Sequence, residues 1–385
     1  MSIAENVADK LMKDHHILIE ASLCSRFRTP KSDCSLCADA CPANAISVSG
    51  GSAEINERCI DCGVCYSACP NGAFSPMERT DEKIMKEISF PHSSALRISC
   101  ERGDAAADII LPCLSRLTEA LFLETMLREA PAIEIAKPLC ENCPLVKAAF
   151  HLNTIILRTQ HLCDMLGIDR NRISIIEIPL QSQAKPPEKS VSRREFFSAF
   201  RAKATKIAAA AVPDIESNDD DKQEAFRNVI RDRRENRKRS ALIKSIVELG
   251  AKAKVNQTCV SSENAMTADI AVGTGCTACG VCASLCPTGA ISKQWTEQAF
   301  SLSFSPDLCT NCRICEKTCM HKALNIKETV SLNLLLEQKK TLLFEAERKT
   351  CISCRMAFIG EELNVCPLCL DRNKKQTVAF QELFK

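Results

Sequence analysis

Residues 59–74 read CIDCGVCYSACPNGAF, and residues 276–291 read CTACGVCASLCPTGAI. A third copy, CTNCRICEKTCMHKAL, occupies 309–324, and a fourth ends in the same register as CSLCADACPANAI over 34–46. The four copies form two pairs separated by most of the chain. The shared spacing is chemically specific. Three cysteines separated by two residues each wrap three corners of a [4Fe–4S] cube, and a fourth, standing before proline, points away from it.

In such paired units the fourth cysteine ligates the cluster of the partner repeat. This assigns Cys276, Cys279, Cys282 and Cys319 to one centre, and Cys309, Cys312, Cys315 and Cys286 to another. In the first pair, Cys59, Cys62 and Cys65 join Cys41, leaving Cys34, Cys37 and Cys69 for the remaining centre. Its fourth corner is open, because Lys31 stands where the spacing calls for cysteine. Either Cys24 reaches in through a longer loop, or the site keeps three thiolates, as in a [3Fe–4S] centre. The nine residues between Cys24 and Cys34 easily span a cluster at ~3.3 Å per residue. Residues 30–33, PKSD, read as an inserted turn, and an insertion that keeps its cysteine is the simpler account.

The pattern resembles the bacterial two-cluster ferredoxins over roughly residues 23–80 and 268–330. The resemblance implies four [4Fe–4S] clusters and single-electron transfer. Met320 departs from it, standing where proline follows the last cysteine of the other copies. Zinc is the competing reading, but it prefers a closed set of four thiolates on paired C-x2-C knuckles.

The chain has 385 residues, 26 cysteines and a net charge of +2. Its length allows two to four domains, and its charge singles out no partner. That many cysteines mean either disulfides in a secreted protein or metal sites in a reducing compartment. The opening MSIAENVADKLMKDHHILIE carries acids and histidines where a signal peptide needs an apolar run. No stretch approaches the ~18–20 apolar residues of a membrane span. These features predict a cytoplasmic metalloprotein. Aromatics are only 4%, so small cluster domains would draw much of their folding free energy from metal binding.

Residues 95–182 have a different texture. ALRISC (95–100), DIILPC (108–113), AIEIAKPLC (132–140) and RISIIEIPL (172–180) read as strands. SRLTEALFLETMLREA (115–130) and the run from Leu145 to Gly167 have apolar residues at helical spacing. Alternating strands and helices predict an α/β layer with a partly parallel sheet. Cys100, Cys113, Cys140 and Cys143 fall at or just past strand ends, where sites gather in open α/β sheets. Their order resembles the [2Fe–2S] domain of the delta subunit of methyl-viologen-reducing hydrogenase, and also the thioredoxin-like [2Fe–2S] ferredoxins. The delta-subunit family has an additional cysteine near its first strand, where this chain has CERGD. A [2Fe–2S] cluster, a structural zinc and buried thiols remain the alternatives, with [2Fe–2S] ahead of zinc.

QSQAKPPEKS (181–190) reads as a linker. SRREFFSAF (192–200) echoes a twin-arginine export motif, but it lies in mid-chain before a very short apolar run, and a basic helix is the better reading. FRNVIRDRRENRKRSALIKSIVELG (226–250) predicts a helix with a dense basic, solvated face. An acidic docking partner is the second choice there and nucleic acid a distant third. CISCRMAFIGEELNVCPLC (351–369) sets Cys351, Cys354, Cys366 and Cys369 on two knuckles, as in zinc ribbons. Rubredoxin also uses two knuckles, with a longer spacer and glycine after its cysteines; here Arg355 and Leu370 follow. Cys163 and Cys259 have no evident partners and read as small buried hydrophobes.

The expected architecture is therefore α+β and multidomain. It comprises an N-terminal helix (1–22), a two-cluster ferredoxin module (23–80), an α/β four-cysteine domain (90–182) and a charged helical linker (183–256). A second two-cluster module (257–330) and a zinc-ribbon-like tail (331–385) follow. The expected function is that of an electron-wire subunit in a cytosolic oxidoreductase complex. There is no G-x-G-x-x-G loop, P-loop or triad motif. Two-electron or bond-breaking chemistry then falls to partner subunits of flavin, molybdenum or hydrogenase type, and the chain is more an electron-transfer subunit than a stand-alone catalyst. Two alternatives stand beside this: an enzyme with a substrate-binding metal centre in the middle domain, and a redox-sensing nucleic-acid-binding regulator.

Overall fold

The structure is a computed structural model that describes residues 16–49, 51–77, 79–88, 94–180, 226–230, 234–252, 259–262, 265–359, 364–366 and 369–372. The chain divides into two compact units, residues 1–257 and 258–385.

The first unit opens with a cysteine-rich module built on two short antiparallel pairs. β1 (Ile17–Ile19), β2 (Ile46–Ser49), β3 (Ser52–Ile55) and β4 (Phe74–Pro76) pair as β1 with β4 and β2 with β3. The expected helix over 1–22 falls largely outside the described residues. Where it would end, Ile17–Ile19 form a strand instead, because the chain there pairs with Phe74–Pro76. The cluster loops lie between these strands and carry one-turn helices, Leu36–Ala40 and Val64–Ala68, which hold Cys37 and Cys65. Ile17, Leu23, Ala53, Ala73 and Phe74 form the core beneath both cysteines. The residue opening Val64–Ala68 is Gly63 at φ +74°, a left-handed conformation that glycine adopts without strain.

The α/β domain follows. β5 (Leu96–Cys100), β6 (Ile109–Leu111), β7 (Ile133–Pro138) and β8 (Ile173–Ile178) form one sheet in the order β6-β5-β7-β8. Every neighbouring pair is parallel, so the sheet is wholly rather than partly parallel. Helix Glu119–Leu127 is capped by the Thr118 side chain, and helix Ala149–Leu166 ends at Gly167 in a left-handed turn. Parallel neighbours usually need a crossover of a dozen or more residues, yet β5 and β6 are joined by 101–108 alone. Arg97 holds that loop back along β5: its side chain pairs with Asp104 at 2.6 Å and its backbone N–H donates to Asp108. The turn brings Gly103 so close that a β-carbon there would lie 2.3 Å from Ser99 Oγ.

Helix Arg237–Lys252 packs against Glu119–Leu127 through buried Leu242, Ile243, Ile246 and Leu249. Within the range expected as a charged linker with a solvated basic face, this described helix buries one side. Arg239 is buried, and Lys238 reaches backbone carbonyls of the cluster module. The twin-arginine-like segment, 192–200, lies outside the described residues.

The second unit repeats the plan of the cluster module. Its strands are β9 (Cys259–Ser261), β10 (Ile270–Val272), β11 (Ile291–Trp295), β12 (Ala299–Phe304), β13 (Leu324–Ile326), β14 (Thr329–Ser331), β15 (Thr341–Thr350) and β16 (Ala357–Ile359). β10 pairs with β13, β9 with β14, and β11 with β12, all antiparallel. Here the hairpin grows into a four-stranded sheet, β11-β12-β15-β16. The tail expected to start at 331 as a separate ribbon therefore enters as a strand of the cluster module's own sheet. Phe300, Leu302 and Phe304 fill the core beneath the cluster loops.

Candidate metal centres

Each predicted four-cysteine set of the ferredoxin-type loops converges. In the first unit, burial and then the Cys69, Cys34 and Cys24 thiolates push the Cys37 thiol up to about 12. Cys24 packs against the same buried group as Cys37 and Cys69. It sits between the turn Ala21–Leu23 and helix Ser25–Arg28, and a turn at Pro30–Lys31 follows where the inserted turn was expected. Arg28, buried, ties the Ala21–Leu23 turn in by donating from Nε to the Ser22 carbonyl at 2.6 Å.

Burial raises Cys65 well above the usual thiol range, followed by the Cys62, Cys59 and Cys41 thiolates. Cys41, Cys59, Cys62 and Cys65 line one concave space with Ile17 and Val64. In the second unit, Cys286, Cys309, Cys312 and Cys315 line another, and Cys276, Cys279, Cys282 and Cys319 a third. Burial first, and then sulfurs of the same set, pushes Cys312 to about 12 and Cys282 to about 11. Concave, thiol-lined spaces of this kind fit iron–sulfur clusters. Thiols held protonated by burial become ligands when a metal replaces the proton.

Backbone geometry explains the loop residues. Asp61, Ala278 and Asn311 occupy the same loop position, and all have φ near +50°. Arg313 takes the left-handed place that Gly63 and Gly280 hold in the sister loops. Four residues after the last cysteine, an N–H points at its sulfur: Ala45 to Cys41, Ala73 to Cys69 and Ala323 to Cys319, at 3.3–3.4 Å. Such donors tune cluster potentials.

The middle set lies at the carboxyl edge of the parallel sheet. Cys100 ends β5, Cys113 follows β6, and Cys140 and Cys143 flank a short turn after β7. Burial first pushes the Cys100 thiol to about 11, and the Cys113, Cys140 and Cys143 thiolates add to it. The four therefore face one another. Cys113 also packs against buried Cys62, Val64 and Ala148, at the edge of the cluster module. Hydrogen bonds lock this seam. Ser67 Oγ donates to the Ser115 carbonyl at 2.5 Å and lies 2.9 Å from His151 Nε2. Burial, with Lys238 and Arg158 nearby, holds the His151 imidazole down at about 4, so it is neutral at pH 7. Asp81 accepts from Arg116, Tyr66 and Thr118 at 2.6–2.9 Å.

The tail set is the most compact. Its four sulfurs lie within 4.8 Å of one another, and Cys354 Sγ is 3.7 Å from Cys366 Sγ. Zn–S bonds of ~2.3 Å place tetrahedral thiolates ~3.8 Å apart. Arg355 at φ +57° forms the left-handed knuckle after Cys354. The Cys366 N–H donates to Cys351 Sγ at 3.2 Å and draws that thiol down to about 6. Of the two unassigned cysteines, Cys163 is buried 3.9 Å from Met126 Sδ, whereas Cys259 is exposed on β9 rather than buried.

Sequence reasoning missed Lys238, Asn236, Ser67 and His151. A basic run signals charge without signalling which lysine turns inward, and a lone serine or histidine carries no pattern.

Comparison with protein families agrees with this geometry. Residues 32–74 and 275–323 each match the 4Fe-4S dicluster domain. No curated protein and no solved structure matches the chain. The protein therefore carries two ferredoxin-type 4Fe-4S dicluster domains and, near its C-terminus, a four-cysteine cluster able to hold a metal ion. Among the described residues, no helix is long and apolar enough to cross a membrane.

Proposed function

We propose that the protein is an electron relay with four [4Fe–4S] centres and a fifth, [2Fe–2S] centre in the α/β domain, working as a subunit of a larger oxidoreductase. The observation that carries this is the packing of Cys113 of the middle set against the buried group that holds Cys62 of the neighbouring cubane set. Bound clusters supply one-electron redox sites. The chain's part is to hold them close and in fixed order. The Ser67–Ser115 bond, together with the bonds of Asp81 to Tyr66, Arg116 and Thr118, ties the α/β domain to the first dicluster module.

The spacing of the middle sulfurs supports a cluster over zinc. Among the described residues, the tail set alone gathers such ligand atoms within 4.8 Å, so the middle thiolates are spread more widely than one zinc ion holds them. The tail set is then the zinc site. We assign Cys24 as the fourth ligand of the Cys34, Cys37 and Cys69 centre. The exposed Cys279 marks the Cys276, Cys282 and Cys319 centre as the one nearest solvent and so the natural exchange point with a flavin-, molybdenum- or hydrogenase-type partner.

The test is magnetic. In fully reduced protein, EPR should show the middle centre spin-coupled to a cubane, and a Cys140→Ser/Cys143→Ser variant should lose both the middle signal and the coupling. A middle centre that binds zinc, or whose reduced signal is uncoupled in the parent, would contradict the relay.

A further inference from the structure

We propose that Lys238 raises the reduction potential of the centre held by Cys34, Cys37, Cys69 and Cys24. The proposal rests on those cysteines holding a cubane, which iron analysis establishes separately from the potential.

Lys238 comes from helix Arg237–Lys252, more than 160 positions along the chain from the cluster loop it enters. Its Nζ donates to the Tyr66, Ser67 and Cys69 carbonyls at 2.7, 3.0 and 2.6 Å. Three carbonyl acceptors need three N–H donors, and only the ammonium form of lysine has three. The three acceptors favour the ammonium form, and they do so against burial, which pulls the Lys238 pKa down. The charge is fixed in place: Asn236, just before it, donates to the Pro70 carbonyl at 2.9 Å and presses so tightly on Gly72 that a β-carbon there would lie 2.3 Å from Asn236 Oδ1. The Tyr66 ring lies against the ammonium at 5.3 Å. Asp81 and Glu119 are the acidic groups facing it, and Arg158 the basic one.

One-electron reduction adds one negative charge to the centre, with no bond made and no proton needed. A fixed cation one residue's carbonyl away from the Cys69 corner, in a site of low dielectric, stabilises the reduced form more than the oxidised form.

The experiment is a dithionite redox titration of the full-length, anaerobically loaded protein, followed by EPR. Lys238→Met should move one cubane midpoint negative by at least tenfold in electron affinity, about 59 mV for a one-electron couple, and leave the others in place. Lys238→Arg should keep the parent value, as should the exposed control Lys86→Met. Lys238→Gln, which keeps amide donors without charge, serves where the Met variant loads poorly. Unchanged midpoints in a fully loaded neutral variant would overturn the assignment. Loss of the centre in both neutral variants would overturn it too, by marking Lys238 as a structural clamp.

Discussion

Arg116→Met removes the guanidinium that joins the α/β domain to the first dicluster module. Arg116 is 2% exposed and Asp81 13%, with Nη1 to Oδ1 at 2.6 Å. Nη2 also donates to the Arg79 carbonyl, and the guanidinium lies 5.3 Å from the centre of the Tyr66 ring. Breaking a buried ion pair from one side costs about 3–5 kcal/mol, because the remaining charge is left uncompensated. Asp81 keeps the Tyr66 and Thr118 hydroxyl donors and sits in the first turn of its helix, which places the loss near the lower end, about 3 kcal/mol. At ~1.4 kcal/mol per tenfold, that is roughly 10²-fold in the local opening equilibrium. Hydrogen exchange of the loaded protein reads this directly: amides of Glu119–Leu127 should lose about 10²-fold protection, while those of the second unit stay unchanged. An Arg116→Met/Asp81→Leu double variant should recover most of the loss. Protection within a factor of about 2 of the parent in the single variant would refute the reasoning.

Three further outcomes follow from the sites. Cys24→Ser should convert one cubane to a [3Fe–4S] centre with its own oxidised EPR signal, and adding Lys31→Cys should restore the cube; a parent protein that already shows the three-iron signal would place Cys24 outside the ligand set. Cys366→Ser should release zinc, seen by metal analysis, and leave all cubane signals intact. The folded-state His151 pKa, about 4, lies below the usual ~6.5, so its contribution to stability is present above about 6.5 and falls as pH drops toward 4. The thermal midpoint of the first unit should decline across that window less steeply in His151→Gln than in the parent.

Much of this was legible in the sequence because metal ligands impose spacing. The C-x2-C-x2-C-x3-C spacing located three complete sets and three members of the fourth, and three of these sets each line one concave space in the structure. The middle strands were legible for another reason: Ile98, Ile109, Ile135 and Ile173 sit in short apolar runs bounded by turn residues. What was not legible lies in long-range packing. Nothing local shows that Lys238 and Arg239 turn inward while Lys244 stays in water, since all three sit in the same basic helix. Nor does any pattern show that Thr341–Thr350 pairs with Ala299–Phe304, which ties the tail into the second module's sheet. Cys24 is an intermediate case. Its distance from Cys34 hides it from the spacing rule, and only the helical turn Ser25–Arg28, pinned by Arg28, brings it to Cys37.

The central claim is that these cysteines hold redox clusters in a relay. Iron, acid-labile sulfide and zinc analysis of the anaerobically prepared full-length protein, with EPR of the reduced state, tests it most directly. The account predicts about sixteen iron and sixteen sulfide in four cubanes, about two more of each in the middle centre, and about one zinc in the tail. A folded protein filled with zinc and nearly free of labile sulfide would contradict it.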